Sequence, residues 1–343
     1  MQREITKCGK LLNNAGTLRE SGYAKSLLLE YNKENIQAHP MRIKEWDYYL
    51  ISNDRCGIAL TLADNAYMGL ISVSLLDFTK EKAITTSYMK PFTRGRWDLP
   101  RSTMLGDSVY EDQDILMTFL NNGKERRLKC RIKHFKGHKP FECEFLLTEE
   151  PKESMVIATP FKEDPLSFYY NQKIVGMKVR GYAKYEGQLY KFSKEDARAI
   201  LDWGRGVWPY RNTWYWSAGA GQVEGKEFGF NLGYGFGDRE AASENMLFYE
   251  GKAHKLEKVI FHIPMQQDKE DYMKRWHFTS SDKRFEATFD PILDRKAYTT
   301  IGIISSSQHQ VFGRFNGTAI LDDGKVIEIK NFLGFAEKVK NKW

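Results

Sequence analysis

The sequence predicts an all-β protein, a tandem duplication of two antiparallel β-barrel or sandwich modules, each preceded by a short helix. Three observations carry this. Apolar and polar residues alternate with period two along most of the chain, between short turn-rich breaks. Four segments of the first half recur in the same order in the second. The length, 343 residues, suits two domains of ordinary size that need no disulfides to hold a core.

In chain order, YAKSLLLEYN at 23–32 is expected to be the first helix. Alternating runs follow at 48–51, 57–62, 70–76, 128–132, 141–145 and 176–182. The turn sequences NDRCG, NNGK and KGHKP separate several of them. A second helix is expected over 193–203. Ser193 and Asp196 have the spacing of a capping box, Ala197, Ile200 and Leu201 fall on one helical face, and Gly204 stands where a helix would stop. Further runs at 257–262, 284–289 and 325–329 are divided by SSDK and DDGK.

The recurring segments are AKSLLLEY and ARAILDW, RIKEWDYYLI and YRNTWYWSA, KPFECEF and KRFEATF, and GYAKYEGQLYKF and GTAILDDGKVIEI. They place the first module at residues 1–192 and the second at 193–343. Two related sheets packed together create a junction, and ligand pockets favour domain interfaces and barrel mouths.

The formal charge of +7 invites a nucleic-acid reading, but its location removes that reading. Residues 124–139 hold eight Lys and Arg against one acid, Glu125, which is the excess of the whole chain. Leu128, Cys130 and Ile132 alternate there with Lys129, Arg131 and Lys133, as in a half-buried strand with a solvated cationic face. No nucleic-acid partner is expected, and at most a weak anionic partner at Lys124 to Lys139. No apolar run is long enough for a transmembrane helix and no secretory leader is visible, so a cytoplasmic location is expected. Cys8, Cys56, Cys130 and Cys143 lack metal-type spacing and read as reduced thiols. His134 and His138 flank a turn, and the GxGxG of 231–240 lacks a strand-to-helix phosphate setting, so neither a metal nor a cofactor is expected.

The most unusual stretch is DWGRGVWPYRNTWYWSAGAG, from Asp202 to Gly221. On a strand, Trp214 and Trp216 share one face and Tyr215 takes the other. With Trp208, Tyr210, and Trp46 and Tyr48 of the first half, they form the expected substrate-binding set. Such rings fill a core, line an apolar pocket, hold a sugar, or stabilise a cation. The expected catalytic set is Asp64, Asp202 positioned by Arg205, and Glu337. Asp64 and Glu337 lie in apolar or aromatic surroundings, where burial would keep a carboxyl group protonated and able to donate. Each also has a structural reading: Asp64 as a turn cap, Arg205 as a loop-fixing ion pair, Glu337 as the start of a basic tail.

RIKEWDYYLISN, TLADNAYMGLISVSLLDF and DWGRGVWPYRNTWYW together resemble an uncharacterised bacterial family of the calycin-like superfamily. That resemblance implies two lipocalin-like modules. In architecture alone it is similar to carotenoid 1,2-hydratase (hydroxyneurosporene synthase), tocopherol cyclase and the β-barrel Diels–Alderases. It implies an apolar small-molecule ligand of isoprenoid, polyene or steroid type, and cofactor-independent hydration, cyclisation or isomerisation. A non-catalytic carrier of a hydrophobic ligand, and a carbohydrate-active or carbohydrate-binding protein, are the alternatives.

Overall fold

The computed structural model describes residues 2–302 and 304–342 and is almost entirely β-strand. Two large antiparallel sheets carry the fold. The first runs in the spatial order Lys82–Pro91, Met68–Asp77, Cys56–Asp64, Ile43–Ser52, Arg198–Val207, Asp164–Tyr185, Lys139–Thr148, Arg126–Lys136, Ile115–Asn121, Ser108–Glu111, with three shorter strands attached. The second runs Lys252–Lys255, Met246–Tyr249, Lys226–Tyr234, Arg211–Val223, Val326–Lys342, Ile304–Ile320, Phe285–Ile301, Trp276–Ser280, Val259–His262. The two orders correspond strand for strand over nine strands. In each, a four-strand meander begins on a strand that pairs with the last strand of the same sheet.

Both sheets curl until their distant strands meet. In the first, the Tyr88 hydroxyl donates to the His134 carbonyl at 2.7 Å, and Thr86 donates to the Phe135 carbonyl. In the second, the Phe261 amide donates to the Tyr234 hydroxyl at 3.2 Å. Each curl encloses a core: Leu60, Val73, Phe119, Phe145 and Leu201 in the first, Phe230, Trp276, Phe289 and Phe315 in the second. A third apolar layer lies between the sheets, with Leu50, Ile157, Tyr169 and Ile200 of one against Trp216, Phe248, Leu293, Phe312 and Phe335 of the other.

The two expected helices are not present. Residues 198–207 form a strand, buried at every position, that closes the first sheet against Ile43–Ser52 and Asp164–Tyr185. Its two faces enter two different cores: Leu201 and Trp203 face the first curl, Ile200 and Asp202 the inter-sheet layer. A strand covered on both sides loses period-two alternation, and its apolar run then imitates a helix. The capping signal at Ser193 is real but local. Asp196 accepts from the Ser193 amide and hydroxyl, and the chain completes one turn before extending. In residues 23–32 the chain instead forms the short strands Gly22–Ala24 and Leu29–Glu30. The first of these pairs with Met155–Phe161, and Leu29 and Tyr31 pack into the first core.

The basic segment is a strand whose alternate residues Leu128, Cys130 and Ile132 are buried. Much of its charge is paired: Arg126 with Glu150 at 2.8 Å, Arg127 with Glu125 at 2.7 Å, Lys133 with Asp114 at 3.5 Å, and Lys139 with Glu186. All four cysteines are free thiols. Among the described residues no helix is long and apolar enough to cross a membrane, and no cluster of His, Cys, Asp and Glu could hold a metal ion.

Candidate functional site

Strand register assembles a polar row on each sheet, and the two rows face each other across the inter-sheet layer. On the first sheet, Asp202 lies directly between Tyr48 and Lys173. On the second, Glu337 lies between Trp216 and Gln310, with Arg295 next beyond. The rows occupy corresponding strands. Each presents an aromatic residue from the opening strand, a carboxylate from the closing strand and a polar side chain from the strand before it.

Short contacts join the rows. The Tyr48 ring meets Trp216 edge-on at 5.7 Å, and its hydroxyl donates to Gln310 Oε1 at 3.4 Å. Lys173 pairs with Asp202 at 2.7 Å while its ammonium sits 4.1 Å from the Trp216 ring centroid. Asn171 also donates to Asp202, at 2.6 Å. Arg295 donates to Gln310 at 2.7 Å and to Ser74 of the first sheet at 2.7 Å.

Glu337 is 3% exposed. It accepts from Trp214 Nε1 at 3.0 Å, Gln308 Nε2 at 2.8 Å and Gln310 Nε2 at 3.0 Å. Burial raises its pKa, against the pull of those donors and of Arg295, and the nearby Asp202 raises it further. Glu244 is buried close by, in a notch over Gly233 where a Cβ would lie 3.1 Å from its carboxylate. Burial raises its pKa as well, with Lys173 opposing.

Beside the rows lies a box of aromatic rings. Trp46 stacks on Tyr169 at 6.0 Å and meets Trp208 edge-on at 5.1 Å. Phe236 fills the centre, edge-on to Tyr169 at 4.8 Å, Trp208 at 5.3 Å and Trp214 at 5.5 Å. Phe236 is carried on a loop between Gly235 and Gly237, whose φ angles of +93° and +71° favour glycine. Trp214 belongs to both assemblies, since its indole nitrogen holds Glu337. Two fully buried polar atoms at this layer, Trp208 Nε1 and Asn171 Oδ1, make no hydrogen bond to any described residue.

Of the residues expected from sequence, Asp202, Glu337, Trp46, Tyr48, Trp208, Trp214 and Trp216 come together here. Trp214 and Trp216 share the inter-sheet face and Tyr215 packs on the opposite core. Three do not join them. Tyr210 is exposed. Arg205 cannot position Asp202, because residues three apart on a strand point to opposite faces. It is instead fully buried in the first curl, paired with Asp47 at 3.0 Å and with Pro100, Trp46 and Gly204 carbonyls around it. Asp64 clamps a loop, accepting from Thr93 Oγ1 at 2.5 Å and from the amides of Ala66, Gly95 and Trp97. Lys173, Asn171, Gln310, Arg295, Glu244 and Phe236 were not foreseen. The one tyrosine of the box, Tyr169, lies in an aromatic run, FYY, that was the one available signal.

The description of a family, domain of unknown function (DUF2804), matches residues 2–343. No curated protein matches the sequence. Among solved structures, the chain is similar to a Nitrosomonas europaea protein named as an AttH, with a TM-score of 0.53 and 14% identity over 92% of this chain and 97% of that one. Kievitone hydratase from Nectria haematococca gives a TM-score of 0.47 and 9% identity over 88% of each chain. The first likeness extends the fold to a second protein and says nothing of its chemistry, and the second carries no further argument.

Proposed function

We propose, for a chain that belongs to the DUF2804 family, that the inter-sheet layer binds an apolar isoprenoid, polyene or steroid-like molecule. Its place is the space now filled by the Phe236 ring. The observation that carries this reading is the aromatic box itself. It holds a glycine-flanked ring at its centre, an unused indole donor at Trp208, and a buried acid hydrogen-bonded to one wall. A ligand with one polar end would meet the Trp208 donor while its apolar body displaced Phe236.

The chemistry that suits such a site is proton transfer. Glu337, whose pKa burial raises, gives its proton to an alkene carbon. Positive charge develops on the neighbouring carbon, where the faces of Trp214, Trp208 and Trp46 stabilise it. Water then adds and releases a proton to the Glu337 carboxylate, which is hydration. Loss of a different C–H proton to the same carboxylate is isomerisation, or cyclisation when a second alkene has attacked first. The acid is restored in every case. Lys173 pairs with Asp202 at 2.7 Å, and the Asp202 carboxylate raises the Glu337 pKa and so favours its neutral form.

Titration of the intrinsic tryptophan fluorescence with retinol, a polyene alcohol, tests the binding. Saturable quenching is expected, tightened several-fold by Phe236→Ala, which empties the box. Equal affinity in the two proteins would remove the box as the site. Mass spectrometry of the probe recovered from D2O reads the chemistry. Deuterium uptake with the wild type and none with Glu337→Gln is expected. Binding without uptake would leave a hydrophobic-ligand carrier.

A further inference from the structure

A cleft of about 410 Å³ opens at the end of the second sheet, within the size range of small-ligand sites. It is lined by Arg211, Thr213, Tyr298, Ser307, Lys340 and Lys342. Register sets Arg211 beside Lys342, and Thr213, Lys340, Ser307 and Tyr298 in one transverse row. These positions alternate with the residues of the inter-sheet face, so they belong to the opposite side of the sheet from Glu337. Among the described residues no carboxylate lies within ion-pair distance of Arg211, Lys340 or Lys342, although the charge of Lys340 reaches Glu270.

The same face carries an ordered chain of titratable groups. Asp294 Oδ2 lies 2.6 Å from His309 Nδ1, and His309 Nε2 lies 2.5 Å from the Tyr298 hydroxyl. A carboxylate only accepts, so Nδ1 carries a proton towards Asp294 while Nε2 faces the phenol. The Tyr272 ring stacks on the imidazole at 3.9 Å and 9°. Tyr272 is fixed in turn by donating to Glu270 at 2.7 Å, and Glu270 pairs with Lys338. The imidazole is therefore held on three sides, while Tyr298 is 63% exposed at the cleft.

We propose that this cleft is a second ligand site, taking a small phosphate monoester, with the Tyr298 phenol presented to the ligand by Asp294 and His309. Three cations that pair with no carboxylate among the described residues suit a dianion. An Arg and two Lys beside Ser and Thr hydroxyls supply donors for several oxygens of a tetrahedral group. The exposed phenol, held at the cleft by its contact with Nε2, turns its O–H to donate to a phosphate oxygen. The site is independent of the inter-sheet layer.

Calorimetric titration of the full chain with ribose 5-phosphate, and with ribose as the neutral control, tests the proposal. The ester is expected to bind saturably with a Kd at or below about 1 mM, and ribose not to bind. Lys340→Ala/Lys342→Ala should weaken the ester about tenfold or more, with the thermal midpoint and the retinol titration unchanged. Tyr298→Phe, which keeps every cation, should weaken it about threefold or more. No saturable binding of the ester, equal binding of ribose, or an affinity unchanged in the double variant would overturn the site. An affinity unchanged in Tyr298→Phe would overturn the role given to the phenol.

Discussion

A carboxyl group with almost no exposed surface and three donors around it, Glu337 titrates between opposing influences, and burial prevails. Its folded pKa lies above the ordinary 4.5, so between those two values the folded chain holds a proton that the unfolded chain has lost. Its contribution to stability is complete below the ordinary value and is lost as pH rises through the folded one. Glu244 acts with the same sign. Urea unfolding of the wild type should therefore lose stability relative to Glu337→Gln as pH rises above the ordinary carboxylate value of 4.5. Parallel profiles would mean that Glu337 is ionised throughout. At this scale the sequence was informative about aromatic residues and less so about charges. Trp46 and Tyr48 recur as Trp214 and Trp216, and their shared face follows from strand alternation alone. Arg205 does not reach Asp202 because a loop after a helix could fold it back onto that carboxylate and a continuous strand cannot. Lys173, Gln310 and Arg295 were invisible because each reaches the site through pairing between strands distant in the chain.

The strand Arg198–Val207 shows why local signals failed where the core is deepest. Its apolar run, its capping residues and its glycines all fit a helix. Each has another cause in the sheet: burial on two faces, a single preceding turn, and close approach of neighbours. A Cβ at Gly204 would lie 1.9 Å from the Trp46 ring, and one at Gly206 would lie 2.3 Å from the Phe168 carbonyl. Gly204 thus leaves room for Trp46 to lie across the strand and reach the aromatic box. Gly204→Ala should destabilise the fold by about 3 kcal/mol, read as a shift in the denaturation midpoint. A neutral effect would mean that Trp46 moves aside without penalty. The hairpins were legible throughout, because their turn residues and half-exposed strands keep the alternation that two-sided burial erases. Gly181 and Gly317, aligned from the repeat, share one packing role: a Cβ at either would lie 2.1 Å from a carbonyl of the neighbouring strand, Glu144 or Glu286.

The whole molecule is two sheets of one strand order, face to face, with a carboxylate on the closing strand of each directed into the layer between them. We place the division between the halves in residues 208–210, since a cut at Phe192 would take the closing strand from the first sheet. The excess positive charge belongs to one hairpin of the first half, where four of its eight cations pair with Glu125, Asp114, Glu150 and Glu186. Function, on this reading, belongs to neither half alone, because Asp202 and Glu337 meet only where the sheets pack. A crystal structure of the chain with retinol bound tests this most directly. The polyene is expected between Trp46, Trp208 and Trp214, with the Phe236 ring displaced and one end of the ligand in reach of Glu337. Retinol bound elsewhere, with Phe236 still at the centre of the box, would contradict it.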